Sequence, residues 1–275
     1  MNEILTGRRL AVLRRNTDPR LEWLCAQIAR NRFLPVPPPD RVFIGDGDFR
    51  AIGAEFLRHF VRVGGLKPKH RVLEIGCGIG RMAVPLTQYL ESSYDGVDIV
   101  EDGIRWCAET ITPAYPEFRF QTLDVANALY NPGGAEDAAR TRLPFPDGGH
   151  DFVILTSVIT HLRTAETVRY AAEIARVLKP GGRCFLSLFL VDARARDGIE
   201  KKTARPAFLD APGPEFIADE ANPNAAVAYS ESFLLSTFAE QGLRPARPVL
   251  HGHWSGQRNA ENFQDLLVLE KESAR

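Results

Sequence analysis

The chain has 275 residues, 44% of them hydrophobic, and sets 34 lysines and arginines against 35 aspartates and glutamates for a formal net charge of -1. That length suits one α/β core with attachments, and the balance of charge supplies no general field for gripping nucleic acid. Cys25, Cys77, Cys107 and Cys184 show no paired spacing, no apolar run nears the roughly 20 residues that span a bilayer, and the N-terminus lacks a signal-peptide core; a soluble cytoplasmic protein is expected, with neither a disulfide framework nor a zinc site.

The first predicted elements are helical. Arg8, Arg9, Arg14 and Arg15 surround Leu10, Val12 and Leu13 in a basic amphipathic pattern, and apolar residues continue through Leu21, Trp23, Leu24 and Ile28. A helical extension over residues 1–40, packed on the core or on a second subunit as in a homodimer, explains this more simply than membrane contact. The cluster PVPPPD, Pro35 to Asp40, breaks the helical pattern and marks the boundary with a main domain over 41–275. A helix follows from Phe49 to Val63, with Ile52, Phe56, Leu57 and Phe60 on one side and Gly64 and Gly65 as its stop.

From residue 71 short apolar runs alternate with helical patterns, which predicts βαβ units and a parallel sheet covered on both faces. Strands are expected at Arg71–Ile75, Tyr94–Asp98, Phe118–Leu123, Asp151–Leu155 and Arg183–Leu190, with helices at Arg81–Leu90, Gly103–Thr110 and Ala165–Leu178. The turn KPGG, Lys179 to Gly182, leads into the fifth strand. Two long inserts, near 127–149 and 191–229, interrupt the alternation and read as functional loops. SESFLLSTFAEQGL then reads as a helix, and LRPARPVLHGHW and FQDLLVLEK as two last strands, seven in all.

Where the first strand meets the first helix the sequence reads EIGCGIG, Glu74 to Gly80. Glycine permits positive φ and close approach, and this turn lies at the carboxyl end of a strand, where open α/β sheets bind ligands. The spacing is GxGxG rather than the GxGxxG of dinucleotide sites, and Glu74 would repel a pyrophosphate while attracting a cation. Asp98 ends the second strand, placed to accept hydrogen bonds from ribose hydroxyls, with helix capping as its competing role. Asp124, closing the third strand, is placed to accept from an adenine amine.

On these residues the chain resembles the class I S-adenosylmethionine-dependent methyltransferases. The likeness covers Val72 to Leu190: EIGCGIG matches the family's glycine motif, Asp98 its ribose acid, Asp124 with Val125 its adenine side, and RVLKPGG its turn before the fifth strand. It implies a three-layer αβα sandwich with strand order 3-2-1-4-5-7-6 and only the last strand antiparallel. It also implies S-adenosyl-L-methionine as cofactor, held by Glu74, Gly76, Cys77, Gly78, Gly80, Asp98, Ile99, Asp124, Val125 and Thr156.

Methyl transfer to a hydroxyl needs a base, and His161, just beyond the fourth strand, is the candidate; loop packing or capping is the rival role. Thr156, Ser157 and Thr160 shape the same edge. Tyr130, Arg140, Arg142 and the second insert are the expected determinants of acceptor choice, and Trp254 suggests a loop over the pocket. His251 and His253 would share one strand face, but two ligands without an acid pair do not make a metal site, so no metal is assigned. The expected activity is O-methylation of a small molecule such as a sugar or secondary metabolite, with no nucleic-acid partner; a small-amine N-methyltransferase, a nicotinamide-dependent oxidoreductase and a non-catalytic cofactor-binding subunit are the alternatives.

Overall fold

The computed structural model describes residues 18–257 and 260–273. The basic stretch around Arg8 to Arg15 lies outside them. Helices α1 (Pro19–Arg30) and α2 (Phe49–Arg62) start at Asp18 and Asp48, whose carboxylates accept from Arg20 N and Ala51 N, the capping that aspartate supplies to orphan N–H groups. Leu21, Cys25 and Ile28 of α1 are buried in one core with Leu57 and Phe60 of α2. Glu22 clasps Arg58 across the pair. The extension therefore shares the core of the main domain rather than standing apart.

The main sheet contains β1 (Val72–Ile75), β2 (Tyr94–Asp98), β3 (Phe118–Thr122), β4 (His150–Thr156), β5 (Leu178–Leu188), β10 (Leu243–Pro245) and β11 (Asp265–Lys271). Their spatial order is β3-β2-β1-β4-β5-β11-β10, which in order along the sheet's own chain is 3-2-1-4-5-7-6. Only β11 runs against its neighbours β5 and β10. The period of two in strand side chains divides the apolar residues between two cores: Leu73, Val153, Leu155 and Leu186 face one layer, and Val72, Phe152, Ile154 and Phe185 the other. Helix α4 (Glu101–Thr110) and helix α5 (Thr164–Val177) follow β2 and β4.

Four elements depart from the sequence expectation. The helix predicted over 81–90 shrinks to α3 (Ala83–Leu86), because Pro85 has no N–H to give the carbonyl one turn back. KPGG is not a turn before β5 but a bulge within it: β4 pairs Leu178 opposite His150, then resumes with Arg183 opposite Phe152, and Gly181 takes φ 74°. LRPARPVLHGHW yields only the short β10, since Pro245 and Pro248 cannot donate to a ladder; HGHW ends in a 3-10 turn, His253–Ser255. The second insert is not a loop. It folds as β6 (Leu190–Val191), α6 (Ala193–Glu200), β7 (Leu209–Asp210), β8 (Glu215–Ile217) and β9 (Val227–Ser230), forming a sheet of order β6-β9-β8-β7. Phe189, Phe208, Phe216 and Trp254 make its own small core. Helix α7 (Glu231–Glu240) leads back to the main sheet.

Candidate active site

A cavity of about 430 Å³ opens at the carboxyl ends of β1, β2 and β4, within the roughly 300–1,000 Å³ of small-molecule sites. The turn after β1 forms its floor. Gly76 and Gly78 adopt φ 75° and 54°, and the N–H groups of Gly76 and Cys77 both donate to the Val97 carbonyl, at 2.8 and 3.1 Å. A Cβ on Gly76 would lie 2.3 Å from Val158 Cγ2, and one on Gly78 would lie 2.9 Å from Ile44 Cγ2. Close packing of the protein on its own turn is thus part of the reason for these glycines. Gly80 does not border the cavity; its missing Cβ makes room for Cys107 and Ile111 of the following helical layer.

Asp98 is 9% exposed, with Oδ2 accepting from Gly78 N at 2.7 Å and Oδ1 from Val100 N at 2.9 Å. It fastens the glycine turn to the tip of β2 while bordering the cavity, and α4 starts beyond it with Val100, not Asp98, at the cap position. Burial raises its carboxyl pKa, opposed by the Val100 and Gly78 N–H groups. Glu74 is 1% exposed and accepts a 2.5 Å hydrogen bond from the Tyr94 hydroxyl. Burial pushes its pKa to about 8, opposed by the Tyr94 bond and reinforced by the Asp98 charge. Burial therefore favours the neutral form of Glu74 near pH 7 over the standing negative charge that its sequence position suggests.

Cys77, Ile99, Val125 and Thr156 also border the cavity. Asp124 does not: it is exposed, and its Oδ1 accepts from Ala135 N at 3.2 Å, so that oxygen caps the first insert. Arg140 and Arg142 are likewise exposed, near Asp137 and Asp147, whereas Tyr130 lines the wall. Trp254 is 1% exposed and donates Nε1–H to Asp265 at 2.8 Å. It anchors the inserted sheet and is no part of a loop over the cavity.

His161 lies in the 3-10 turn Ile159–His161 and borders the cavity. Its Nδ1 is 2.8 Å from the Asn224 carbonyl oxygen, and its own carbonyl accepts from Asn224 Nδ2 at 2.8 Å. The Tyr130 ring stands edge-on to the imidazole at 5.2 Å. A carbonyl cannot donate, so Nδ1 carries the proton and Nε2 keeps a lone pair. Burial pushes the imidazole pKa below its ordinary value, with the Asn224 contact opposing.

Ser157, expected at this edge, follows β4 at φ 60°, an uncommon conformation for a non-glycine residue and one that gathers at functional sites, and it meets cavity residues that no motif revealed. Its Oγ receives Gln264 Nε2 at 2.8 Å, while Gln264 Oε1 receives Ser187 Oγ at 2.8 Å; all three border the cavity. Over the glycine turn lies the segment before α2, with Phe43 and Ile44 in the wall. Arg81 Nη2 holds it through the carbonyls of Ile44 and Gly45, at 2.8 and 2.5 Å.

Residues 73–186 match the methyltransferase domain family. An uncharacterized methyltransferase of Bacillus subtilis, YcgJ, is 28% identical over 132 residues, 48% of this chain and 46% of the relative. The chain spans about half the length of the first curated relatives it matches. The PH0226 protein of Pyrococcus horikoshii shares the fold at TM-score 0.57 and 18% identity, over 86% of this chain and 96% of that one. Magnesium protoporphyrin IX methyltransferase of Synechocystis, solved with bound SAH, does so at TM-score 0.52 and 18% identity, over 83% and 90%. With its glycine turn, the acid at the tip of β2 and the 3-2-1-4-5-7-6 sheet, residues 73–186 form a methyltransferase domain of the class I, S-adenosyl-L-methionine-dependent type.

Proposed function

We propose that this chain methylates a hydroxyl oxygen of a small-molecule acceptor, a sugar or another secondary metabolite, with His161 as general base. The observation that carries this reading is the 2.8 Å contact from His161 Nδ1 to the Asn224 carbonyl. It fixes the tautomer whose Nε2 accepts a proton, and burial keeps that ring neutral near pH 7. A buried base so arranged has little use for an acceptor that is already a thiolate and matters most for a hydroxyl.

The residues suited to hold the cofactor are the Gly76–Gly78 turn, Asp98 with one lone pair left on each oxygen, and Glu74, whose carboxyl ionises when a cation lies beside it. When bound, the cofactor supplies a methyl group already activated on a sulfonium. Nothing need activate the donor, so the protein's part is to align the acceptor and remove its proton; alignment alone is worth about 7–11 kcal/mol in favourable cases. Nε2 of His161 takes the hydroxyl proton, while Ser157, Ser187 and Gln264 offer hydrogen bonds to the acceptor's other polar groups. Phe43, Ile44 and Tyr130 line the cavity in which that exchange takes place.

The test is calorimetry with S-adenosylhomocysteine, followed by incubation with the methyl donor and a panel of sugars, phenols and alcohols read by mass spectrometry. Methylated ether products that vanish in His161→Ala support the proposal. Methylation confined to amines, or undiminished in the variant, would overturn it.

A further inference from the structure

We propose that Asp192, Glu231 and His251 form a binding site for a divalent transition-metal ion, of the class of Zn²⁺ or Mn²⁺, outside the cofactor cavity. His251 Nε2 lies 3.6 Å from Glu231 Oε2 and 3.9 Å from Asp192 Oδ2, and one ligand atom from each residue falls within 4.8 Å of the others. The three converge without hydrogen-bonding to one another. Bonds to a metal of about 2.0–2.2 Å would set such atoms some 3.0–3.5 Å apart, so the two histidine edges, at 3.6 and 3.9 Å, need to close by less than about 1 Å and the Asp192–Glu231 edge, within 4.8 Å, by up to about 1.8 Å.

Each donor is free on the side that faces the other two. Asp192 uses Oδ1 to cap α6, accepting from Ala195 N at 2.7 Å, which leaves Oδ2 for the site. Glu231 Oε2 is a buried oxygen with no hydrogen-bond partner, an orphan that a cation would satisfy. Behind the ring of His251 stands a carboxylate: Nδ1 lies 3.6 Å from Asp265 Oδ1, an ion-pair contact longer than a hydrogen bond, while Nε2 is the nitrogen that faces Asp192 and Glu231. Asp265 is itself held rigid, 1% exposed, accepting from Gly252 N, Leu190 N and Trp254 Nε1 at 2.7, 2.6 and 2.8 Å.

Charge agrees with this geometry. Three carboxylates surround one imidazole, and among the described residues no lysine or arginine forms an ion pair with Asp192, Glu231 or Asp265. One imidazole with carboxylate oxygens suits first-row transition ions better than Mg²⁺ or Ca²⁺, which favour all-oxygen sets. Asp192 and Glu231 also border an open hollow of about 520 Å³, where water can complete the coordination. The acid pair missing from the HGHW motif in sequence is thus supplied by residues far away in the chain.

Its place in the fold gives the site a use. Asp192 stands at the start of the inserted sheet and Glu231 just past its end, while His251 precedes β11 of the main sheet. An ion held there ties both feet of the insert to the main sheet, and the insert is what brings Asn224 to His161.

The test uses the whole chain, stripped with a chelator and titrated calorimetrically with ZnCl₂ and separately with MnCl₂. One equivalent per chain and a rise in Tm are expected. Asp192→Asn, which keeps the helix cap, and Glu231→Gln should each weaken binding by about 100-fold, with circular dichroism of the metal-free variants showing that they fold. Asp98→Ala should bind the ion normally, which separates this site from the cofactor reading. For variants that do not fold, anomalous diffraction at the zinc edge from wild-type crystals decides, with a peak expected between the three side chains. Uptake of neither ion at millimolar concentration, retained affinity in both variants, or a peak elsewhere would overturn the proposal.

Discussion

His161 Nδ1 and the Asn224 carbonyl oxygen, 63 residues apart in the chain, meet at 2.8 Å, so the inserted sheet fixes the imidazole at the cavity edge. His161→Ala should lower kcat on a hydroxyl acceptor by about 10²–10⁴-fold, the usual worth of a positioned base, with cofactor affinity unchanged. Because burial lowers the pKa, the active neutral ring persists to more acid pH than a free imidazole. The acid limb of kcat/KM should fall below about 6.5, the ordinary value. A limb at or above it, absent in His161→Ala, would contradict that environment.

Asn224→Ala separates orientation from chemistry. It keeps the carbonyl that meets Nδ1 but removes the Nδ2–H bond to the His161 carbonyl, a loss of about 0.5–1.5 kcal/mol. A drop in kcat of about 2- to 12-fold is expected, with the acid limb moved less than the rate.

Glu74 makes stability fall with rising pH. Its pKa is 4.5 as a free group and about 8 when folded, so the folded state holds the proton more tightly between those values. The contribution is full below about 4.5 and is lost by about 1.4 kcal/mol per pH unit on the way to 8. Thermal melts of Glu74→Gln against wild type should diverge in the variant's favour from pH 5 to pH 8, and parallel curves would reject the assignment. A cationic ligand beside Glu74 would also release a proton, measurable as a dependence of binding enthalpy on buffer ionisation at pH 7.

Asp98→Ala breaks the bond to Gly78 N and leaves a buried donor unpaired. Bonds to charged groups contribute about 1.5–3 kcal/mol, so S-adenosylhomocysteine affinity should fall by roughly 10- to 150-fold. Gly76→Ala should be worse for folding than for binding. Its methyl meets Val158 Cγ2 at 2.3 Å on a backbone at φ 75°, and a lower Tm in the absence of ligand is the readout.

What sequence revealed here was whatever is local and repeated. The alternation in VLEI and HDFVILT and the glycine spacing after β1 mark strands and a turn that few other chain geometries satisfy. Periodicity failed where elements are too short to show it: β6, β7 and β8 have two or three residues each, and the inserted sheet looked like a loop. The site was half legible for the same reason. Asp98 follows from its strand, but Gln264 and Ile44 reach the cavity, and Asn224 reaches His161, through packing between distant segments, while Asp124 lies exposed with Oδ1 taken by the Ala135 N–H.

Arg81 Nη2 bonds the carbonyls of Ile44 and Gly45, and Ile44 packs on Gly78. These are the contacts that hold residues 43–47 over the glycine turn. A ligand lodged beneath that segment leaves when the segment lifts, so the bonds should appear in the off-rate. Arg81→Ala removes two charge-assisted bonds, about 1.5–3 kcal/mol each when fully buried, but the carbonyls become free to take water when the segment opens. The expected result is a dissociation rate for S-adenosylhomocysteine raised by about 10- to 100-fold, with an association rate changed far less. Arg81→Lys should recover part of the loss, since an ammonium bonds one carbonyl well but lacks the fork that spans both. Stopped-flow displacement measures both rates. A slower association with unchanged dissociation would mean that the segment guards entry rather than exit, and that Arg81 acts on the open protein instead of the closed one.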